Sequence, residues 1–258
     1  MEHSLPAGID ADGFILPAPN AHPQPEFQAL LADACGALMQ VESLLDGIYL
    51  YGSIARGDAR PGVSDLDLTL VLRHPATAEQ STTLECIRLA LHKRHPQVTK
   101  VDFDIGLRSQ VLAPENAFSW GYWLKHHCRC LWGDDLSEHF ERFKPSREIA
   151  LAVNGDFEAA LTRYAMLIDQ ATTPAESQRL QREASRKLIR STQVLRAEDA
   201  PGWPQTLEEH LDLFLQRYPF MESRIAFFLS QAKGQGAQPV DFSTRLRSFL
   251  SWMVSQHP

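Results

Sequence analysis

Two side-chain periods alternate along the first half of this chain, and one fills the second. Residues 26–45 carry Phe27, Leu30, Leu31, Ala34, Leu38, Val41 and Leu45 at helical spacing, which predicts an amphipathic helix closed by Gly47. The apolar run from Ile48 to Tyr51 predicts a buried strand that stops at Gly52-Ser53. A second strand is expected over 65–72, where Asp65 and Asp67 alternate with Leu66, Leu68 and Leu70. Side chains in a strand repeat every two residues, so the two aspartates share one face and the leucines the other. Thr77 with Gln80 has the form of a capping box and predicts a helix to about residue 94, ahead of Pro96. In the following strand Thr99, Val101, Phe103, Ile105 and Leu107 fall on one face, and Lys100, Asp102, Asp104 and Gly106 on the other. Residues 115–130 read as an aromatic-rich packing helix with Phe118, Trp120, Tyr122 and Trp123, and Cys130 to Gly133 as a short strand.

From about residue 148 the pattern is helical throughout. Asp156 is a candidate helix start. Thr173-Pro174-Ala175-Glu176 supplies cap, N1 proline and N3 glutamate for a long helix over 174–197. Thr206 with Glu209 repeats that signal, and Asp241 opens the last helix. About five helices are expected, packed as a bundle. In the long helix Leu180, Ala184, Leu188, Ser191 and Leu195 form an apolar stripe, and Arg179, Arg182, Arg186 and Arg190 a basic one, with Lys187 beside it. The fold class is α+β: a small mixed sheet flanked by helices, then an all-α bundle. The expected organisation is an extended arm over 1–25, rich in Pro, Ala and Gly, one domain over 26–142 and a second over 143–258, divided in the polar stretch around Pro145.

Composition narrows the classes. With 258 residues, 44% apolar and 22% charged, the chain resembles an ordinary globular protein of one large or two small domains. It holds no apolar run long enough to cross a bilayer, and its first residues lack the basic start and apolar core of a signal peptide, so a cytoplasmic location is expected. Cys35, Cys86, Cys128 and Cys130 form no disulfide or zinc framework, and Cys128-x-Cys130 after His126 and His127 reads as a helix end with incidental thiols. The net charge of −7 divides into −8 over residues 1–142 and +1 over 143–258. Neither half has the positive field of a nucleic-acid binder, and an acidic cleft favours a cationic substrate.

The chemistry concentrates in LYGSIARGDARPGVSDLDLTLV, residues 50–71. Gly52, Ser53 and Gly57 let backbone N–H groups approach a phosphate closely, and Arg56 adds a fixed planar cation. Asp65 and Asp67, held side by side, repel each other. A hard divalent cation such as Mg²⁺ relieves that repulsion and keeps positions open for phosphate oxygen. Eleven residues lie between Ser53 and Asp65. Gly-Ser followed at this spacing by Asp-x-Asp resembles the signature of the nucleotidyltransferases related to DNA polymerase beta. The overall layout, with its helical second half, looks like that of the aminoglycoside adenylyltransferases.

The resemblance implies Mg²⁺-dependent transfer of AMP from ATP to a hydroxyl of a small molecule, with an aminoglycoside as the candidate acceptor, and release of pyrophosphate. It implies two Mg²⁺ ions held by Asp65, Asp67 and a third carboxylate. Asp102 fits that role by its apolar flanks, with Asp104 as the other candidate. It further implies nucleotide contacts from Gly52, Ser53, Arg56, Gly57 and Ser64. Because SRKLIRSTQVL resembles a helix that such enzymes turn toward the triphosphate, Arg186, Lys187 and Arg190 join them. The antibiotic-modifying relatives carry a glutamate as third carboxylate and base, whereas this chain has aspartates, which leaves the acceptor and the base open. Two other readings keep part of the pattern: adenylylation of a partner protein, and a nucleotide-binding regulator without turnover.

Overall fold

The computed structural model describes residues 8–17, 22–235 and 241–257. It divides into two units, one of Leu16–Phe143 and one of Lys144–Pro258 joined by the N-terminal residues up to Ile15.

In the first unit, helix α1 (Pro25–Leu38) buries Phe27, Leu30, Leu31, Ala34 and Leu38. It stops seven residues short of the expected end. Met39–Val41 tighten into a 3₁₀ turn, and the last apolar positions serve the sheet instead. Leu45 already pairs with Leu72, and Gly47 lies inside strand β1 (Leu45–Tyr51) rather than closing a helix. A Cβ on Gly47 would sit 2.7 Å from the Tyr49 ring, so the glycine makes room for that buried side chain. A short helix α2 (Gly52–Arg56) follows, then β2 (Leu66–Leu72), α3 (Ala78–Arg94), β3 (Val101–Leu107), α4 (Arg108–Val111), α5 (Tyr122–His126) and β4 (Arg129–Gly133).

The sheet runs β3-β2-β1-β4 and is mixed: β1 pairs antiparallel with β2 and β4, while β2 and β3 are parallel and joined by α3. Leu66, Leu68 and Leu70 enter the main core with Phe27, Leu30 and Ile87. The opposite face carries a smaller core of Tyr49, Val71, Val111, Leu124 and Leu136. As an edge strand, β3 buries less than its alternation predicts, and Ile105 is 49% exposed. The aromatic segment is not one helix: it breaks into a 3₁₀ turn, a π-helical stretch at Ala117–Gly121 and α5. The predicted capping box of α3 is present, Thr77 accepting from the Gln80 amide and Gln80 from that of Thr77. Thr77→Ala should cost about 1 kcal/mol in denaturant unfolding.

Among its described residues the second unit has six α-helices where about five were expected: α6 (Arg147–Asn154), α7 (Phe157–Gln170), α8 (Pro174–Ser191), α9 (Leu207–Arg217), α10 (Glu222–Ala232) and α11 (Phe242–Gln256). The first of them, α6, is only eight residues long and is capped by Ser146. The caps at Thr173 and Thr206 form as the sequence predicts. The side chains of Asp156 and Asp241 cap nothing; they take Lys187 and Arg245 instead. Helix α8 ends at Ser191 rather than 197, because Thr192–Leu195 tighten into a 3₁₀ turn and the Thr192 hydroxyl donates to the Ile189 carbonyl. Leu180, Ala184 and Leu188 join Phe228, Phe249 and Leu246 in the bundle core.

Of the expected N-terminal arm, residues 8–15 form a tight turn closed by an Ile9–Ile15 bridge, with Ile15 buried. Residues 1–7 and 18–21 lie outside the described residues. Among the described residues no helix is long and apolar enough to cross a membrane.

Candidate active site

Strand β1 ends at Tyr51 in extended conformation, and Gly52 turns the chain into α2 with a φ of +75°. Gly57, at +77°, closes that helix in the left-handed conformation. A turn follows in which the Ser64 hydroxyl accepts from the Arg60 amide at 2.9 Å and the Ser64 carbonyl from Thr99 at 3.0 Å. The chain re-enters the sheet so that Asp67 lies opposite Tyr51 on one side and Asp102 on the other. Two residue pairs further along, Thr69 pairs with Asp104. Asp67 packs directly on the Gly52 backbone, since a Cβ there would stand 2.0 Å from Asp67 Oδ2.

Asp65, Asp67, Asp102 and Asp104 thus meet at the β2–β3 pair, and three of them have partners. Asp65 accepts from the Thr99 hydroxyl, Asp102 pairs with Lys100 Nζ at 2.7 Å, and Asp104 accepts from Tyr51 Oη at 2.6 Å. Asp67 has none among the described residues. Burial, with the charges of Asp65, Asp102 and Asp104, pushes its carboxyl up to about 7, against the opposing pull of Arg56. Arg56 itself pairs with Asp58 at 3.3 Å. Burial and the bond to Asp104 push the Tyr51 phenol far above its ordinary range.

Tyr51 also meets Trp123 edge-on, with ring centroids 4.9 Å apart. The Trp123 indole donates to the Thr69 hydroxyl at 3.1 Å and stacks on His127. Tyr51, Thr69, Thr99, Lys100 and Trp123 therefore surround the carboxylates, though none stood out in the sequence as a site residue. Thr69 continues the two-residue period of Asp65 and Asp67, and that was the one available signal.

Residues 37–117 match the family model of the nucleotidyltransferase domain. Over those residues the chain carries a nucleotidyltransferase domain. A solved structure of spectinomycin adenyltransferase AAD(9) from Enterococcus faecialis, with ATP and spectinomycin, aligns over 88% of this chain and 98% of its own, with a TM-score of 0.60. The two are 14% identical, and the likeness is one of fold. No curated protein matches the chain.

In the nucleotidyltransferase domain the donor set fits a hard cation: all four acidic groups are carboxylates, and the repulsion that raises Asp67 is what a divalent ion relieves. Among the described residues no three His, Cys, Asp or Glu groups are already drawn into a closed metal site, and Lys100 supplies the counter-charge to Asp102. The His126–Cys130 segment has other partners: His126 Nδ1 lies 3.0 Å from the Leu16 carbonyl and His127 Nε2 3.0 Å from Tyr122 Oη, while burial pushes the Cys128 and Cys130 thiols up. The remaining predicted residues belong to the helical unit. On α8, Arg186 and Arg190 are exposed, while Lys187 donates to Asp156 at 2.6 Å.

Proposed function

We propose that the protein is a Mg²⁺-dependent adenylyltransferase that moves AMP from ATP to a hydroxyl of a small, cationic molecule in the cytoplasm, releasing pyrophosphate. One observation carries this reading: Asp67 lies in register with Asp102 and against Gly52, with Asp65 on the same strand face. Nucleotidyl transfer is a displacement at phosphorus and depends mainly on positioning and charge. The acceptor oxygen bonds to the α-phosphorus, the bond from that phosphorus to the bridging oxygen breaks, and the acceptor proton passes to a carboxylate, Asp102 in this reading. Asp65, Asp67 and Asp102 would hold the divalent ions, whose chemistry is to neutralise charge on the phosphoryl oxygens. Gly52 and Ser53 would hold the β- and γ-phosphates with Arg56, Gly57 and Ser64 near them. Arg186, Lys187 and Arg190 are proposed phosphate contacts, Lys187 exchanging Asp156 for the nucleotide.

Four clustered carboxylates supply a negative potential that favours an amine-bearing acceptor. The ATP and spectinomycin bound by the AAD(9) enzyme support the same class of substrates. The test is pyrophosphate release from Mg-ATP with an aminoglycoside and aminocyclitol panel, products weighed by mass spectrometry. A compound heavier by one AMP, absent with Asp65→Ala, is the expected result. AMP found on protein instead, or unchanged turnover by Asp65→Ala, overturns the reading. Asp102 and Asp104 separate in the same assay. Asp102→Asn should cost at least about a hundredfold in kcat, and Asp104→Asn, whose carboxylate is engaged by Tyr51, under about tenfold.

A further inference from the structure

The helical unit holds a second constellation of cations that the transfer reaction does not use. A cleft of about 490 Å³ is lined by Arg147 at the start of α6, Arg196 after α8, Arg217 and Tyr218 at the end of α9, and His257 after α11. Arg196 is 94% buried, its residue exposure being 6%. Its Nη2 donates to the carbonyls of Ala200 and Gly202 at 2.7 and 3.3 Å, and its face lies over Trp203. Among the described residues its buried Nε and Nη1 have no hydrogen-bond partner, and neither has His257 Nε2 in the same cleft. Glu198 also lines the cleft but forms no ion pair with these arginines among the described residues. Arg217 donates to the Leu195 carbonyl and lies over the Tyr218 ring, and among the described residues neither Arg217 nor Arg147 forms an ion pair.

Buried guanidinium N–H groups are nearly always satisfied, because leaving them bare forfeits their hydration. Among the described residues no carboxylate forms an ion pair with these arginines, and burial lowers the Arg196 pKa from its ordinary value. Three arginines lining one cleft match the planar, multidentate recognition of phosphate. The volume is that of a small-molecule site, and Leu195 and Tyr218 give it an apolar side.

We propose that this cleft binds a phosphate group, free or carried on a small organic molecule, on Arg147, Arg196 and Arg217. The protein lowers the cost of its buried arginine when the anion enters, so the ligand stabilises the helical unit.

The test is calorimetric titration and thermal melting of the full chain in EDTA, with inorganic phosphate in one arm and ribose 5-phosphate in the other. EDTA keeps the carboxylate cluster from recruiting phosphate through a metal. One molecule bound per chain, with a melting temperature that climbs with concentration, is expected. Arg196 variants risk misfolding, so the more accessible Arg147→Gln and Arg217→Gln carry the test, each weakening binding about tenfold. Asp67→Asn should bind as the wild type does. Equal affinity in the two arms assigns free phosphate, and tighter binding of the sugar phosphate assigns an ester. No saturable binding of either probe at millimolar concentration, binding indifferent to both arginine substitutions, or binding lost in Asp67→Asn overturns the proposal.

Discussion

Asp67→Asn should abolish transfer, lowering kcat at least about a thousandfold, and at the same time make the protein more stable. The loss follows from removing the carboxylate that stands between Asp65 and Asp102. The gain follows from the direction of its pKa. A carboxyl raised to about 7 binds its proton more tightly in the folded chain than in the unfolded one. The folded state therefore holds more protons between about pH 4 and pH 7, and stability falls as pH rises through that window. Asparagine keeps the neutral shape and never ionises. The two proteins should melt together below about pH 4 in EDTA and separate up to about pH 8, where the variant gains about 2 to 4 kcal/mol. Mg²⁺ should then close the gap by stabilising only the wild type. A variant that is less stable at pH 8 in EDTA would show that Asp67 is not under repulsion.

Gly52→Ala should lose both activity and stability. An alanine at φ +75° is strained on its own, and its Cβ would stand 2.0 Å from Asp67 Oδ2. Either the turn into α2 or the carboxylate must move, and a displacement near 1 Å at a reacting centre costs about a hundredfold in rate. The expected loss of stability is about 1 to 3 kcal/mol. Gly62 gives the control. It has nearly the same φ, +74°, and nothing within 4 Å of its Cβ position. Gly62→Ala should cost about 1 kcal/mol and leave kcat intact. Equal kinetic losses in the two variants would mean that backbone strain, and not contact with Asp67, is what matters at Gly52.

The sequence read the α+β architecture well because its strongest signals are local. Alternation of aspartate with leucine over 65–72 and the boxes at Thr77 and Thr206 involve neighbours only, and each appears in the structure. Errors arose where long-range partners decide. Leu45 and Gly47 fit a helical period, but the pairing of Leu45 with Leu72 claims them for the sheet. Ile105 alternates as a buried residue should, yet it lies on the edge strand of the described sheet and is left 49% exposed. Asp156 and Asp241 do stand at the N-caps of α7 and α11 as expected, but their carboxylates go to Lys187 and Arg245 rather than to first-turn amides. At the site the four aspartates were legible from period and spacing. The parts that hold them, Thr99 on Asp65 and Tyr51 on Asp104, were not, since a hydroxyl in an apolar run declares no partner until the strands are in register.

The parallel pairing of β2 with β3 bears on how the domain matures. Tyr51, Gly52, Asp65 and Asp67 come from one antiparallel pair closed by a short connection, so this part of the site assembles by a short-range event. Asp102 arrives only after α3 has crossed over and β3 has aligned, a closure over some thirty residues of chain and slow for that reason. During refolding, tight divalent-ion binding should appear with this later step. A lanthanide bound by the carboxylates would thus act as a clock for sheet completion, its luminescence rising after the far-ultraviolet signal of the helices has already returned.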